Sequence, residues 1–395
     1  MSELVNAREI RKNFRLQLLT TASAIVLIGC VYGTGQARAA DGDSDHPLVW
    51  IELGGQLSRM DDGQESFAPV FPNSPARPSI FDPSQKFERL PLYSIDETGM
   101  VSFEPDGSSW VLSASVRYGH SVGKKDINQQ TNPAPTHFHY SPSGFPKTII
   151  LYSGRPDAAR FADTSVQNGE HHLIADFQAG KDVGLGMFGG GDGSSVFNLG
   201  VRFAQFSNTS TIALKSDPDW RRFYKYANYP SIGINHEKLV NGELYHSNAA
   251  SLRAARSFHG IGPSISWNAS APFAGSSQSG ELLFDWGANA AILFGRQKAL
   301  VHHQATAQYR PDVKYTHRHL VSHYSADPPA RSRTVIVPNV GGFAGLTFRI
   351  ENFKVSAGYR ADLFFHAMDG GIDTRKSENI GFYGPFATIS FGIGG

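Results

Sequence analysis

An alternation of apolar and polar residues with a period of two constrains this chain more than any other feature. Residues 352–368 read NFKVSAGYRADLFFHAM, and the odd positions from Phe353 to Phe365 are all apolar or aromatic. The even positions from Lys354 to His366 carry polar or very small side chains, apart from Phe364. Successive side chains of a β-strand point to opposite faces, so a strand here has one apolar face and one polar face. On an α-helix the same residues would encircle the axis and leave no apolar stripe.

The length of this pattern separates a membrane strand from a soluble one. Strands of soluble proteins usually run about 5 to 6 residues, whereas crossing a bilayer takes roughly 9 to 11 tilted residues. The same pattern recurs at residues 280–297, where the side chains on the apolar face are Leu282, Phe284, Trp286, Ala288, Ala290, Ile292 and Phe294. We therefore interpret both stretches as transmembrane β-strands.

Further stretches with the same alternation occur throughout the chain. They lie at residues 48–60, 99–104, 109–119, 171–188, 195–207, 258–269, 335–350 and 380–393. Lys181 is a misfit on the apolar face of its stretch, and Pro263 lacks a backbone donor, so the strand around Pro263 is expected to be irregular. The total is about ten strands, an even number as in bacterial single-chain barrels, with eight as the alternative count.

The connections between these stretches alternate in length. Residues 105–108, 189–194, 272–279 and 350–352 are short turns, whereas residues 123–169, 208–256 and 298–334 are long and polar. Outer-membrane barrels join their strands by short periplasmic turns and long external loops. The predicted fold is therefore all-β, a transmembrane antiparallel up-and-down β-barrel of about ten strands in the bacterial outer membrane.

The N-terminal segment has the features of an export signal. An apolar run at residues 16–31 ends near Ala37-Arg38-Ala39, and it follows the basic residues Arg8, Arg11, Lys12 and Arg15. This pattern predicts a signal peptide at residues 1–39, which leaves residues 40–395 as one barrel domain. The sole cysteine, Cys30, lies in the sequence Leu-Ile-Gly-Cys, so lipidation at Cys30 stays open as an alternative.

Composition narrows the partners of such a barrel. The net charge is +1, and no basic run interleaved with aromatic residues occurs, so nucleic-acid binding is not expected. The expected partners are outer-membrane lipid and small solutes or ions. The oligomeric state does not follow from the sequence, because no outward face differs visibly from the others.

The polar faces of the strands collect charges of both signs. The candidate pore-lining residues are Glu52, Arg117, Asp176, Asp182, Arg202, Glu281, Asp285, Arg360 and Asp362. Buried charges must be paired or hydrated, so these residues form either a polar pathway for solutes or a structural network that fills a narrow lumen. For an open pathway, we expect the three arginines to face Asp176, Asp285 and Asp362 across a constriction, since about ten strands enclose little space.

Metal binding and catalysis are the remaining possibilities. Histidines cluster in His137-Phe138-His139, in His302-His303, and at His317, His319 and His323, but no acidic or thiol ligand stands at regular spacing beside them. A protease of the omptin type would need Asp and His pairs at the outer rim, for which Asp217 and Asp219 are the candidates. No Gly-x-Ser-x-Gly motif or phosphate-binding loop occurs. We predict no catalytic residue, no metal and no cofactor.

Three segments carry a resemblance to a known family. They read SFEPDGSSWVLSASVRYGHS, FNLGVRFAQF and VGGFAGLTFRIENFKVSAGYRADLFFHAMDGG. These segments resemble the Legionella-type pore-forming major outer membrane proteins and their proteobacterial relatives. The resemblance spans most strands and none of the long loops, and it implies a pore-forming barrel. The chain departs from the usual terminal aromatic residue, since Phe391 is followed by Gly-Ile-Gly-Gly.

The sequence thus favours a narrow porin-like channel for small hydrophilic solutes or ions. The alternative is a closed barrel that acts as an adhesin or as a structural protein of the envelope. An enzymatic role is not expected.

Overall fold

A computed structural model of the protein describes residues 49–61, 92–105, 110–127, 162–183, 193–216, 243–276, 279–311, 320–326 and 330–394. The strands are β1 (Val49–Asp61), β2 (Leu92–Phe103), β3 (Trp110–Ile127), β4 (Ala162–Asp182), β5 (Ser194–Ser216), β6 (Glu243–Ser276), β7 (Gly280–Pro311), β8 (Leu320–Ala326), β9 (Arg331–Ile350), β10 (Phe353–Asp369) and β11 (Ser377–Ile393). The predicted signal peptide, Cys30 and most of the long connections lie outside the described residues. No helix in these ranges is long and apolar enough to cross a bilayer.

Ten of these strands close into one antiparallel barrel. Neighbours in the chain are neighbours in the sheet from β1 to β7, and then β7, β9, β10 and β11 follow one another. Antiparallel pairing of β11 with β1 completes the circle, from Val49↔Ile393 to Asp61↔Gly381. The short strand β8 pairs with β7 alone, beyond the point where the pairing of β9 with β7 ends, and is not one of the ten. The predicted all-β fold of about ten antiparallel strands is confirmed.

The outer surface of the barrel is a belt of exposed apolar side chains. Large apolar residues with 40 to 60% of their surface exposed occur on most strands; they include Leu53, Val101, Leu112, Phe177, Leu199, Ile261, Ile292, Leu346, Tyr359 and Ile389. A continuous apolar exterior of this kind does not face water. Closure satisfies the backbone hydrogen bonds that hydrocarbon cannot. The barrel therefore spans the outer membrane, with its apolar residues towards lipid.

The strands extend well into the regions predicted as loops, so those loop boundaries were wrong. The connection at 123–169 is shortened by β3 and β4, that at 208–256 by β5 and β6, and that at 298–334 by β7, β8 and β9. The reason is that the polarity of the two faces inverts beyond the lipid belt. Gln167, Thr211 and Arg253 are exposed outside, whereas their chain neighbours Val166 and Ile212 are buried inside. The period of two persists, but the apolar residues now point inward.

Two turns at the opposite end are short, as predicted, whereas the connection between β4 and β5 begins earlier than the predicted 189–194, directly after Asp182. β9 and β10 are joined by Glu351 and Asn352, with Glu351 at a positive φ of 47°. The turn between β6 and β7 is shorter than the predicted 272–279, because the strand pairing continues to Ser276↔Gly280. Gly280 has a φ of 102°, which an L side chain rarely adopts.

One local expectation is confirmed and another was wrong. The pairing of β6 with β7 is interrupted at Gly262 and Pro263, although the pairs Ile261↔Phe294 and Ser264↔Ala291 on either side keep the same offset. Pro263 destabilises the strand only a little, because its side chain points outward and the pairing of β6 with β5 continues through Val201↔Pro263. The alternation of residues 352–368, by contrast, breaks at a β-bulge between Phe364 and Met368. There His366 has a φ of 56° and is exposed instead of pointing into the barrel.

Replacing Ala290 with arginine tests the position of the lipid belt. Ala290 pairs with the exposed residues Ile265 and Val340, so the new charge would lie in hydrocarbon. We expect the free energy of unfolding in lipid vesicles, measured by urea titration, to fall by about 2 to 4 kcal/mol. Thr209→Arg, on the outer face of β5 beyond the belt, is the control and should change it by less than about 1 kcal/mol. Equal losses in both variants would contradict this placement of the bilayer.

Candidate functional site in the barrel interior

The interior of the barrel is filled by side chains in successive levels along its axis. On β5, Arg202 and Phe206 point inward one level above the other, and on β10 Asp362 and Phe364 do the same. Two sets of residues result. We name the polar set the lumen network, which consists of Arg117, Asp176, Arg202, Asn289, Asn339 and Asp362. The aromatic layer lies on its extracellular side and consists of Phe206, Phe258, Phe364 and Phe382.

Arg202 is the centre of the lumen network. Its Nε donates to Asp176 Oδ1 at 2.7 Å and its Nη2 to Oδ2 at 2.9 Å, which is a bidentate pair between neighbouring strands. Its Nη1 donates to Asn289 Oδ1 at 2.7 Å and also to the side-chain oxygen of Asn339. The guanidinium of β5 is thereby bonded to side chains from β4, β7 and β9.

Asp362 joins a second arginine to this centre. Arg117 Nη2 on β3 lies 2.7 Å from Asp362 Oδ2 on β10, and Arg202 Nη1 lies 3.9 Å from the other carboxylate oxygen. Both partners of the Arg117–Asp362 pair are buried. Since β3 and β10 are not neighbours in the ring, this ion pair crosses the lumen. The charges compensate one another as burial requires.

Arg360 does not join these ion pairs. Its guanidinium carbon lies 4.9 Å from the ring centre of Phe386 and 5.8 Å from that of Phe343, so two aromatic faces stabilise the cation. Lys354 is held in a similar way, with Nζ 3.7 Å from the ring centre of Trp50. Sequence reasoning paired the inward cations with carboxylates only and missed these aromatic partners.

The other predicted residues lie nearer the periplasmic turns. Glu281 Oε2 pairs with Arg349 Nη2 at 2.5 Å. Asp285 accepts hydrogen bonds from Ser270 and Thr347. The remaining two are Glu52, which accepts a hydrogen bond from Ser390 at 3.1 Å, and Asp182, which is half-buried at the end of β4. The structure thus joins Arg117, Asp176, Arg202 and Asp362 by ion pairs, and it leaves Asp285 and Arg360 outside these ion pairs.

The aromatic layer closes the cross-section on the extracellular side. The ring centre of Phe206 lies 4.7 Å from that of Phe364, 5.5 Å from that of Phe382 and 5.7 Å from that of Phe258. Phe206 has 1% of its surface exposed and the other three have none. Buried residues from further strands pack around them; they include Met60, Ile174, Leu293, Val337 and Ile380. Continuing the inward parity of β5 from Arg202 would have placed Phe206 inside the barrel, but not its contacts with the other three rings.

A buried histidine flanked by two carboxylates lies beside the aromatic layer. His172 Nδ1 is 2.9 Å from Glu170 Oε1, and Nε2 is 3.2 Å from Asp96 Oδ2. Ser58 and Ser94 donate to Asp96 at 2.5 Å each. The side chains of His172 and Asp96 have no exposed surface, so a substrate cannot reach this acid and base pair as it is packed here. Sequence reasoning missed Asp96 because the predicted strand at 99–104 began too late.

The histidine clusters contribute no metal site within the described ranges. His303 points inward and its Nε2 lies 2.7 Å from Asp373 Oδ1. Among the residues whose positions are described, no group of three or more His, Cys, Asp or Glu side chains can hold a metal ion. His137, His139, His317 and His319, together with Asp217 and Asp219, lie outside them.

Comparisons with known proteins identify no family for this chain. No family model matches the sequence, and no curated protein matches it. Several solved outer-membrane proteins match this structure weakly. The outer membrane protease OmpT from Escherichia coli is 8% identical with a TM-score of 0.33, covering 91% of this chain and 100% of its own. The transport unit of the autotransporter AIDA-I from Escherichia coli is 8% identical with a TM-score of 0.24, covering 90% and 94%.

A third solved structure belongs to a transport protein. The toluene transporter TodX from P. putida is 11% identical with a TM-score of 0.25, covering 89% of this chain and 90% of its own. At such scores these likenesses assign neither a family nor an activity. No family match supports the resemblance to the Legionella-type family, and of the features it implies the structure itself shows the β-barrel fold.

Replacing Arg202 with methionine tests the lumen network. The change removes the guanidinium that compensates the buried carboxylate of Asp176. We expect the free energy of unfolding in lipid vesicles to fall by about 3 to 5 kcal/mol, as when one partner of a buried pair is removed. The matched control is Lys124→Met, which breaks the exposed pair of Lys124 with Asp126 and should cause no measurable change. A similar result for both variants would contradict the assigned role of Arg202.

Proposed function

We propose that the protein is a closed, non-conducting barrel with a structural or adhesive role at the surface of the outer membrane. The observation that carries this proposal is the direct packing of Phe206 on β5 against Phe364 on β10. In the ring, β6, β7 and β9 separate these two strands on one side, and five strands separate them on the other. The contact therefore runs across the lumen, and neither ring is accessible to water.

The lumen network supports the same proposal on the membrane side of the aromatic layer. The ion pair of Arg117 with Asp362 also crosses the lumen, and Arg202 approaches the same carboxylate. A solute that enters from the periplasm meets paired charges first and a dry aromatic layer next. An open porin lumen is instead lined by hydrated groups.

The part of the barrel outside the lipid belt gives the protein a rigid external rim. β4, β5, β6 and β7 continue beyond the belt and enclose a second apolar cluster; its buried members are Val166, Ile212, Leu214, Ala250, Leu252, Ala254, Val301 and Ala305. Ile372, from the connection between β10 and β11, packs against this cluster. A rim with its own core presents a defined surface outside the membrane, as an adhesive or scaffolding role requires. We assign the protein no enzymatic role.

The narrow channel is the second candidate, and one observation favours it. Polar groups continue from Glu281 through Asp285 to Asp362, so the interior is hydrophilic up to the aromatic layer. Displacement of the aromatic layer and of the crossing ion pair would then open a path. This candidate differs from the first by requiring a conducting state.

Single-channel recording in planar bilayers separates the two candidates. We expect no conductance steps from the wild-type barrel, because the aromatic layer excludes water. Phe206→Ala with Phe364→Ala should admit water at that level and produce small or flickering steps. Phe197→Ala with Phe348→Ala, on the lipid-facing side, is the matched control and should remain silent.

Folding has to be checked in parallel, since truncating a buried Phe to Ala lowers the free energy of unfolding by about 3 to 5 kcal/mol. A closed barrel keeps its faster migration in SDS gels until it is boiled, so only preparations with this shift are recorded. Steady conductance steps from the folded wild-type protein would overturn the closed-barrel proposal and establish the channel.

A further inference from the structure

The barrel wall has a groove between β9 and β10 on its external side. The two strands pair from Phe353↔Ile350 to Phe364↔Asn339 and no further, although β9 continues to pair with β7 as far as Arg331↔Ala299. β10 leaves this register at the bulge around His366. A cavity of about 560 Å³ results, and its lining residues are Phe294, Arg333, Thr334, Val335, Ile336, His366, Arg375 and Ser377. We name it the β9–β10 groove.

Defined contacts close the groove at both ends. At the membrane end, Asn339 Nδ2 donates to the carbonyl of Leu363 at 3.1 Å. At the external end, Arg331 Nε donates to Asp369 at 2.9 Å, and its two Nη atoms donate to the carbonyls of Gly371 and Ile372 at 2.6 Å each. The gap between the strands is thus held open by a fixed frame.

The groove lies at the boundary between the lipid belt and the external solution. Phe294 and Ile336, at its membrane end, are 54% and 60% exposed on the lipid-facing side. Arg296 and Ser332, further out on the same face, are exposed and hydrogen-bonded to each other at 2.6 Å. A molecule in the groove would have an apolar part in hydrocarbon and a polar part at the level of the lipid headgroups.

The external half of the groove carries uncompensated positive charge. Arg333 and Arg375 are exposed, and within the described part of the chain neither forms an ion pair. The nearby carboxylates are engaged elsewhere, since Asp369 pairs with Arg331 and Glu378 pairs with Lys376. Guanidinium groups bind phosphate through paired hydrogen bonds, so these two lining arginines favour an anion of this kind.

The half of the groove nearer the membrane is apolar. Val335 packs against the buried cluster that contains the aromatic layer, and Phe294 and Ile336 extend this surface towards lipid. Free phosphate would leave this surface without a partner, whereas an acyl chain would cover it. Charge and apolar surface together select a ligand with a phosphate and an acyl chain. We propose that the β9–β10 groove binds a phosphorylated lipid of the outer leaflet.

Binding of a defined lipid tests this proposal. Wild-type protein in detergent is titrated with lipid A, a bisphosphorylated acylated disaccharide, and bound lipid is counted by native mass spectrometry. Arg333→Gln with Arg375→Gln should weaken binding by about tenfold or more, since charged hydrogen bonds to phosphate are lost. Ser377→Trp, which fills the groove and leaves both arginines in place, should weaken it as well. Lys125→Gln with Arg253→Gln, two exposed cations on other strands, is the charge-matched control and should bind as the wild type does.

Two further binding measurements identify the chemistry of the ligand. Lipid A without its phosphates should bind at least about tenfold more weakly, and inorganic phosphate at the same concentration should not displace the intact lipid. Equal loss in the control pair, or undiminished binding of the dephosphorylated lipid, would overturn the proposal. Displacement by inorganic phosphate would overturn the assignment to a lipid. All variants are compared only as folded barrels, judged by their migration in SDS gels before and after boiling.

Discussion

Satisfaction of the backbone hydrogen bonds in hydrocarbon is the constraint on which the rest of this structure depends. An unpaired strand edge costs several kcal/mol for each exposed backbone group in a bilayer, so the sheet must close on itself. The pairing of β11 with β1 achieves this closure. β9 and β10 part above Phe364↔Asn339, where the lipid belt gives way to water. The β9–β10 groove is therefore possible only at that level.

Closure with ten strands leaves an interior too narrow for separate charged walls. In a wide porin, opposed charges face each other across water, but here Arg117 and Asp362 touch from strands that are not neighbours. A buried ion pair recovers its desolvation cost only with good geometry and further hydrogen bonds. Arg202 meets this condition through its bidentate contact with Asp176 and its bonds to Asn289 and Asn339. The network therefore replaces the hydration that an open lumen would provide.

The sequence predicts the fold far better than it predicts the interior. The period of two, the short turns and the even strand number follow directly from the order of residues such as Leu282 to Phe294, because lipid demands apolar residues outside. The extent of the strands does not follow, because outside the lipid the same period carries inverted polarity, as Val166 and Gln167 show. The partners of inward residues depend on contacts across the lumen. Nothing in the local sequence reveals that Phe206 meets Phe364.

The order of the interior levels bears on how such a barrel could ever conduct. Paired charges occupy the level of the lipid belt, where the low dielectric strengthens each ion pair, and the aromatic layer lies outside them. Opening the aromatic layer alone would admit water to the network and weaken its pairs, but Arg117 and Asp362 would still cross the lumen. Separating that pair alone would leave the dry aromatic layer as a barrier to ions. Opening the aromatic layer alone therefore gives only small or flickering conductance. Steady conduction requires both levels to move together, which a rim with its own apolar cluster opposes.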